Sequence, residues 1–237
     1  MSEEDFDTES LAAYLHLGAA QVQKLAERGK LPGRRVAGGW RFAQGEIHHW
    51  LEDRIGLSAD DELLRVEGAL KASRGDFDEG PPSIAAMLPL EAIEIPLAAR
   101  TRDSVITSMV ELAARTGWLW DPVKMTEAVR GREEMHPTAL DVGVALLHPR
   151  RPLPTILAQA FLALGRSERG IPFGGSRGVL TDTFFLICST DDRGHLQALA
   201  RLSRLLASHD FLAELRAATD ARGVHELIAQ AEQNLPG

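Results

Sequence analysis

Apolar residues recur along this chain at two periods, and the change from one to the other divides it. Near the N-terminus, Leu11, Ala12 and Leu15 share one face at helical spacing, which predicts a helix over 8–15 with Thr8 as its N-cap. Gly18 interrupts the pattern, and Val22, Leu25 and Ala26 predict a second helix over 19–28, closed by Gly29. Leu31-Pro32-Gly33 turns the chain, and Gly38-Gly39 separates Arg35-Val36 from Trp40-Arg41-Phe42 as a hairpin. Ile47, Trp50 and Leu51 predict a third helix over 44–54. A small helix-turn-helix with a wing follows from that order.

The next stretch, 57–71, carries Leu63, Leu64, Val66 and Leu70 on one side, with Ser58 placed to cap a helix. That helix suits either dimerisation or packing against one domain. Residues 73–83, SRGDFDEGPPS, read as a linker. Thereafter short apolar runs alternate with helical spacing. Strands are predicted over 93–97, 142–147, 157–164 and 183–188, and helices over 104–116, 122–132, 195–207, 210–217 and 223–232. Interleaved strands and helices argue for an α/β sandwich with a mixed sheet covered on both faces. The chain therefore divides into 1–56, a connector over 57–82, and 83–237.

A chain of 237 residues at 44% hydrophobic content can bury a sizeable core, and it holds no apolar run long enough to span a membrane. Its first residues, MSEEDFDTES, lack the features of a signal or transit peptide, so a cytoplasmic location is expected. Cys188, the single cysteine, sits in the apolar run TFFLICST and reads as a buried strand thiol. The net charge is −8, which argues against a general polyanion binder. Between positions 24 and 41 the balance reverses, with Lys24, Arg28, Lys30, Arg34, Arg35 and Arg41 against Glu27 alone.

That window resembles the excisionase-type, MerR-like winged helix-turn-helix in Leu11 to Gly18, in Arg28-Gly29-Lys30-Leu31-Pro32 and in Trp40-Arg41-Phe42. The resemblance implies DNA binding, with Lys24, Arg28, Arg34, Arg35 and Arg41 as the contacts. A short second helix suits the major groove, and wing arginines suit phosphates or the minor groove. A solvated face on a protein-interaction module is the other reading. So small a unit offers few phosphate contacts, so a monomer should bind weakly and with steep salt dependence.

Residues 131–150, GREEMHPTALDVGVALLHPR, set an arginine, a threonine and a histidine into a helix-turn-strand context. Arg132, Glu133, Thr138, Gly143, Ala145 and His148 fall in register with the motif of the type 2 IIA phosphocarrier domain of the bacterial phosphoenolpyruvate-dependent phosphotransferase system (PTS). The similarity continues through Ile171-Pro172-Phe173, the run 184–188, Gly194-His195-Leu196 and the helical tail 199–215. It resembles the fructose, mannitol and nitrogen-regulatory branches over about 83–232.

The resemblance implies that His148 is a phosphohistidine carrier loaded by phosphorylated HPr or a paralogue. Arg132 would be the main cation, Thr138 a hydroxyl donor or loop-orienting group, and His195 a second donor at a helix start. No cofactor is implied. His136 could add a third imidazole, yet no zinc-ligand spacing accompanies the three histidines. His16, His48, His49, His209 and His225 read as surface or packing residues.

The chain departs from the motif at Leu147-His148-Pro149, where the family has Pro-His-Gly, and at Ala139 and Asp141, where it has glycine. Pro149 confines His148 to extended backbone angles. Two functions stay open: a regulator joining DNA binding to a phosphorylated IIA-like domain, and a IIA-like docking or dimerisation module that handles no phosphate.

Overall fold

The structure is a computed structural model and describes residues 5–15, 17–43, 45–47, 50–51, 83–175 and 178–235. The chain divides into two compact units, 1–81 and 82–237.

In the first unit, α1 (Thr8–Leu15) and α2 (Ala19–Glu27) precede a hairpin of β1 (Arg34–Val36) and β2 (Gly39–Arg41). Residues 45–47 and 50–51 are helical. Leu11, Val22, Leu31, Phe42, Ile47 and Leu51 form its buried core. Two local expectations change. The cap of α1 is Asp7, whose Oδ1 accepts from the Ser10 amide at 2.8 Å while Ser10 Oγ accepts from the Asp7 amide at 2.9 Å. Thr8 is thus the first helical residue. The hairpin turn is Ala37-Gly38, because Val36 pairs with Gly39; both turn residues have positive φ, +51° and +85°, as a type I′ turn requires. The amphipathic helix expected over 57–71 and the linker before Ser83 lie outside the described residues.

The second unit begins with α3 (Ile84–Met87) and a 3-10 turn, Leu90–Ala92. β3 (Ile93–Glu94) follows, then α4 (Arg102–Ala114), α5 (Pro122–Met135) and β4 (Val144–Leu147). After β5 (Phe161–Pro172) and β6 (Leu180–Cys188), three helices close the chain: α6 (Asp192–Leu206), α7 (His209–Ala217) and α8 (Ala221–Gln233). Most helices start where a short polar side chain accepts from an orphan amide of the first turn. Ser83, Thr101, Asp121, Asp191, Ser208 and Asp220 do this in turn.

The sheet runs β3-β5-β6-β4. Its outer pairs are parallel and its central pair, β5 with β6, is antiparallel, so the sheet is mixed. All four residues of β4 are buried, which a strand shows when both faces are covered. Ala145, Leu147, Ala163, Phe184 and Leu186 meet Met109, Leu112, Met125 and Val129 from α4 and α5 on one side. Val144, Leu146, Phe185 and Ile187 alternate with them and are equally buried.

β3 is shorter than the strand expected over 93–97, because Pro96 has no amide to donate; Leu97 N rejoins the sheet at Arg166 O, 2.7 Å away. The strand expected over 157–164 lies later. Residues 154–156 form a 3-10 turn, and β5 continues past Arg166 through an irregularity in register, where exposed Glu168 and Arg169 hide the strand period. Among the described residues, no helix is long and apolar enough to cross a membrane.

The ends of this unit are tied by a buried carboxylate. Glu232 of α8 accepts from Ser83 Oγ (2.7 Å), Ile84 N (2.7 Å) and Ala85 N (2.9 Å), and pairs with Arg201 Nε of α6 at 2.5 Å. Burial pushes its carboxyl up, but these four donors outweigh burial and hold it below the usual range. A depressed carboxyl stabilises the fold above its unfolded pKa and loses that contribution as pH falls through the folded one. Glu232→Ala should cost about 2–3 kcal/mol at neutral pH, measured by urea unfolding, because it removes the acceptor of two buried amides, Ile84 and Ala85, and the carboxylate that pairs with Arg201. The difference from wild type should shrink below about pH 4.

Candidate functional site

The proposed site is built where two strands end together. β4 and β6 are parallel neighbours, with Leu147 opposite Leu186, so His148 emerges at the same carboxyl rim that β6 reaches at Cys188. The carboxyl rim of parallel strands is where open α/β sheets place ligands. The turn after β6 then starts α6, whose cap, Asp191, accepts from Gly194 N at 2.8 Å. His195 lies in that first helical turn. Its ring centroid is 5.0 Å from that of His148, with the planes tilted by 56°.

Both rings are enclosed, at 3% and 4% exposure. His148 Nδ1 lies 2.7 Å from the Leu146 carbonyl oxygen. A carbonyl only accepts, so Nδ1 carries the proton and a neutral ring holds its lone pair on Nε2. His195 Nδ1 is 3.2 Å from Ser189 Oγ, and Ser189 is itself buried. Nothing in the residue pattern marks Ser189 beyond its place shortly before the cap of α6.

Arg132 and Thr138 come from the end of α5 and the turn after it. That helix runs three residues further than expected, to Met135. Arg132 is buried and its Nη1 donates to the His136 carbonyl at 2.8 Å, so it braces the turn. Thr138 O accepts from Leu146 N at 3.3 Å, which links the turn to the residue whose own carbonyl orients His148. The Thr138 hydroxyl, one candidate phosphate donor, instead donates to Glu133 Oε1, and its amide donates to the same oxygen at 3.1 Å.

Glu133, in register with the motif but assigned no role from the sequence, is the group that holds this turn. It is 1% exposed, and Arg102 Nη2 donates to its Oε2 at 2.9 Å and to its carbonyl oxygen. Arg102 also lies over the Phe173 ring, 5.5 Å from its centroid. Glu133 is adjacent to Arg132 in the sequence, yet Arg102 lies on another helix, and no spacing rule joins the two.

His136 is exposed, its Nδ1 donating to the Pro137 carbonyl at 3.0 Å. Asp141 is exposed as well. Gly143 is needed as glycine: its φ is +79°, and a Cβ there would stand 2.8 Å from Arg216 Nη2 and 3.1 Å from the Leu180 carbonyl oxygen. Cys188 is fully buried, which pushes its thiol up and away from reactivity. Of the remaining histidines, His209 is exposed and His225 Nε2 lies 3.0 Å from the Ala85 carbonyl oxygen; His16, His48 and His49 lie outside the described residues.

Residues 86–231 match the model of the "Phosphoenolpyruvate-dependent sugar phosphotransferase system, EIIA 2" family. The chain belongs to that family. Residues 6–55 match a "Helix-turn-helix domain" model, so an EIIA 2 domain is fused here to a helix-turn-helix domain. The chain is 33% identical over 144 residues to the nitrogen regulatory protein of Bradyrhizobium diazoefficiens, covering 59% of this chain and 92% of that protein. It is 27% identical over 152 residues to the PTS system fructose-specific EIIABC component of Bacillus subtilis, covering 63% of this chain and 24% of that one. Among solved structures, nitrogen regulatory protein IIA-Ntr from Neisseria meningitidis superposes with a TM-score of 0.55 at 22% identity, over 61% of this chain and 98% of that chain. IIA mannitol from Escherichia coli does so with a TM-score of 0.52 at 20% identity, over 59% and 97%. These two likenesses establish the EIIA fold.

In the helix-turn-helix domain, Lys24, Arg28, Arg34, Arg35 and Arg41 are all exposed. Arg28 follows α2, which ends at Glu27, and the three hairpin arginines share one small element, with Arg34 paired opposite Arg41.

Glu133 generates a test of opposite sign to that of Glu232. Burial raises its carboxyl above the ordinary range, against the hydrogen bonds from Thr138 and Arg102. A raised carboxyl contributes stability below its unfolded pKa and loses it as pH climbs through the folded one. The stability advantage of wild type over Glu133→Gln should therefore be largest in acid and fall towards neutrality. Glu133→Ala should cost about 2–4 kcal/mol, since it strands the Thr138 amide and hydroxyl in the interior. Urea titrations between acid and neutral pH measure both.

Proposed function

We propose that this chain is a cytoplasmic regulator in which His148 of the EIIA 2 domain accepts a phosphoryl group from a phosphorylated HPr-like phosphocarrier, and the helix-turn-helix domain binds DNA. The observation that carries the reading is the hydrogen bond from His148 Nδ1 to the Leu146 carbonyl oxygen, which leaves the lone pair on Nε2. In the transfer, Nε2 attacks phosphorus and a new N–P bond forms. The donor's N–P bond breaks, and its electron pair returns to the donor imidazole.

Phosphoryl transfer depends on positioning and on neutralising charge over the equatorial oxygens. Arg132 supplies the cation. With Ser189 Oγ donating to its Nδ1, His195 presents Nε2–H as a donor from the first turn of α6, where the helix end favours an anion. The Glu133–Thr138 pair holds the turn against β4. Enclosure of both rings keeps water from the labile phosphoramidate.

The same enclosure favours a second reading. At 3% exposure, with Pro149 buried behind it, His148 is closed to a bulky donor, as suits an EIIA-like docking or dimerisation module that transfers no phosphate. Intact mass after incubation with phosphoenolpyruvate, enzyme I and HPr separates the two. The carrier reading expects one acid-labile phosphate on wild type, none on His148→Ala, and loading slowed about 100-fold in His195→Ala. No mass gain on wild type would leave the docking module.

DNA binding is tested by a salt titration of the full chain on duplex DNA. Single Arg34→Ala, Arg35→Ala and Arg41→Ala changes should each reduce the log–log salt slope by about one. A phosphohistidine adds up to about two negative charges. Weaker duplex binding after phosphorylation is the outcome expected of a coupled regulator, and identical affinity would separate the two domains functionally.

A further inference from the structure

Two of the hairpin arginines that the DNA-binding reading assigns to the duplex, Arg34 and Arg41, already face acidic partners from the segment before α1. Phe6 and Phe42 exchange backbone hydrogen bonds, 2.8 Å and 2.9 Å, in an isolated antiparallel bridge beside the hairpin. The Phe6 ring stacks on Tyr14 at 5.0 Å, and Phe42 is fully buried. The two residues that flank Phe6 therefore project from the same pinned, extended stretch, on the opposite side from its ring. Both are aspartates.

Asp5 Oδ2 stands 2.6 Å from Arg34 Nη2, and Asp7 Oδ2 stands 3.9 Å from Arg41 Nη1. Since Arg34 pairs with Arg41 across β1 and β2, one acidic arm spans both members of a cross-strand pair. Glu27, at the end of α2, lies 3.8 Å from Arg35, which also sits 5.4 Å from the Trp40 ring centroid. Each hairpin arginine thus has a carboxylate within ion-pair reach. Among the described residues, none stands so close to Lys24 or Arg28.

These pairs add little to the fold. The side chains of Arg34 and Arg41 are 66% and 45% exposed, and water screens ion pairs so placed. Their larger effect is on what else reaches the guanidinium groups. A phosphate on a duplex and a carboxylate on the arm compete for the same donors, and the arm is held in place by Phe6.

We propose that the segment carrying Asp5 and Asp7 is an internal competitor of DNA: it occupies Arg34 and Arg41 in the unbound protein and must be displaced when the hairpin engages a duplex. The inference rests on the DNA-binding reading and adds its regulation. Hydrogen bonds from Ser10 first, and the nearby Arg41 charge, hold the Asp7 carboxyl below the usual range, so the arm keeps that charge well into acid.

The test is binding of the full chain to a short duplex of mixed sequence at low salt, compared with the double variant Asp5→Asn, Asp7→Asn. Asparagine keeps the size of both side chains and caps α1 as well as aspartate does, so the helix stays formed. Glu9→Gln, in the first turn of α1, is the control for loss of a nearby acidic charge. The double variant should bind about 3- to 10-fold more tightly than wild type, the gap should close as salt rises, and Glu9→Gln should match wild type. Measurable but equal affinities of wild type and double variant would overturn the competitor and leave DNA binding standing. Weaker binding by the double variant would also overturn it, since the carboxylates would then be aiming the arginines. No binding by any variant, with the arm neutralised and salt low, would remove the DNA reading and the competitor with it.

Discussion

The parallel pairing of β4 with β6 is the constraint on which the candidate site depends. Antiparallel neighbours would send the residue after β4 and the residues after β6 to opposite ends of the sheet. Because the two strands run the same way, with Leu147 opposite Leu186, both chain ends leave at one rim. His148 comes from the first and His195 from the helix that follows the second, and their rings reach 5.0 Å without any contact between neighbours in sequence. The ladder also holds Leu146, whose carbonyl sets the tautomer of His148.

Two buried carboxylates in this unit are each matched by several donors. Glu133, inside the unit, collects the Thr138 amide and hydroxyl and the Arg102 guanidinium, so the turn from α5 into β4 is held by charge as well as by backbone. Glu232 does the same at the far end of the chain, for the start of α3 and for Arg201. The two carboxylates differ in outcome. Glu232 has enough donors to overcome desolvation and Glu133 does not, so their pKa shifts have opposite signs. The helix-turn-helix domain keeps its charges outside, where the same attraction is weak enough to be exchanged for another anion.

Much of this was legible in the residues themselves. Helical spacing placed α1, α2 and the last three helices, and the apolar runs placed β4 and β6. Arg132, Thr138, His148 and His195 were singled out by their register with the EIIA 2 motif, while capping and hydrophobic period located only the helix end, strand end and helix start that carry them.

What tertiary structure alone decided were relations between residues far apart in the chain. No periodicity says that Arg102 will meet Glu133, that the Thr138 hydroxyl will turn to a carboxylate, that Ser189 will stand beside the His195 ring, or that Asp5 will lie on Arg34. Strand limits were likewise settled by packing and pairing: β3 stops at Glu94 before Pro96, and β5 carries polar residues past the core because β6 continues to pair with it. Sequence determines conformation over a few residues through sterics and capping. Which charges and rings share a site depends on how the sheet closes, and that follows from burying apolar surface across the whole unit.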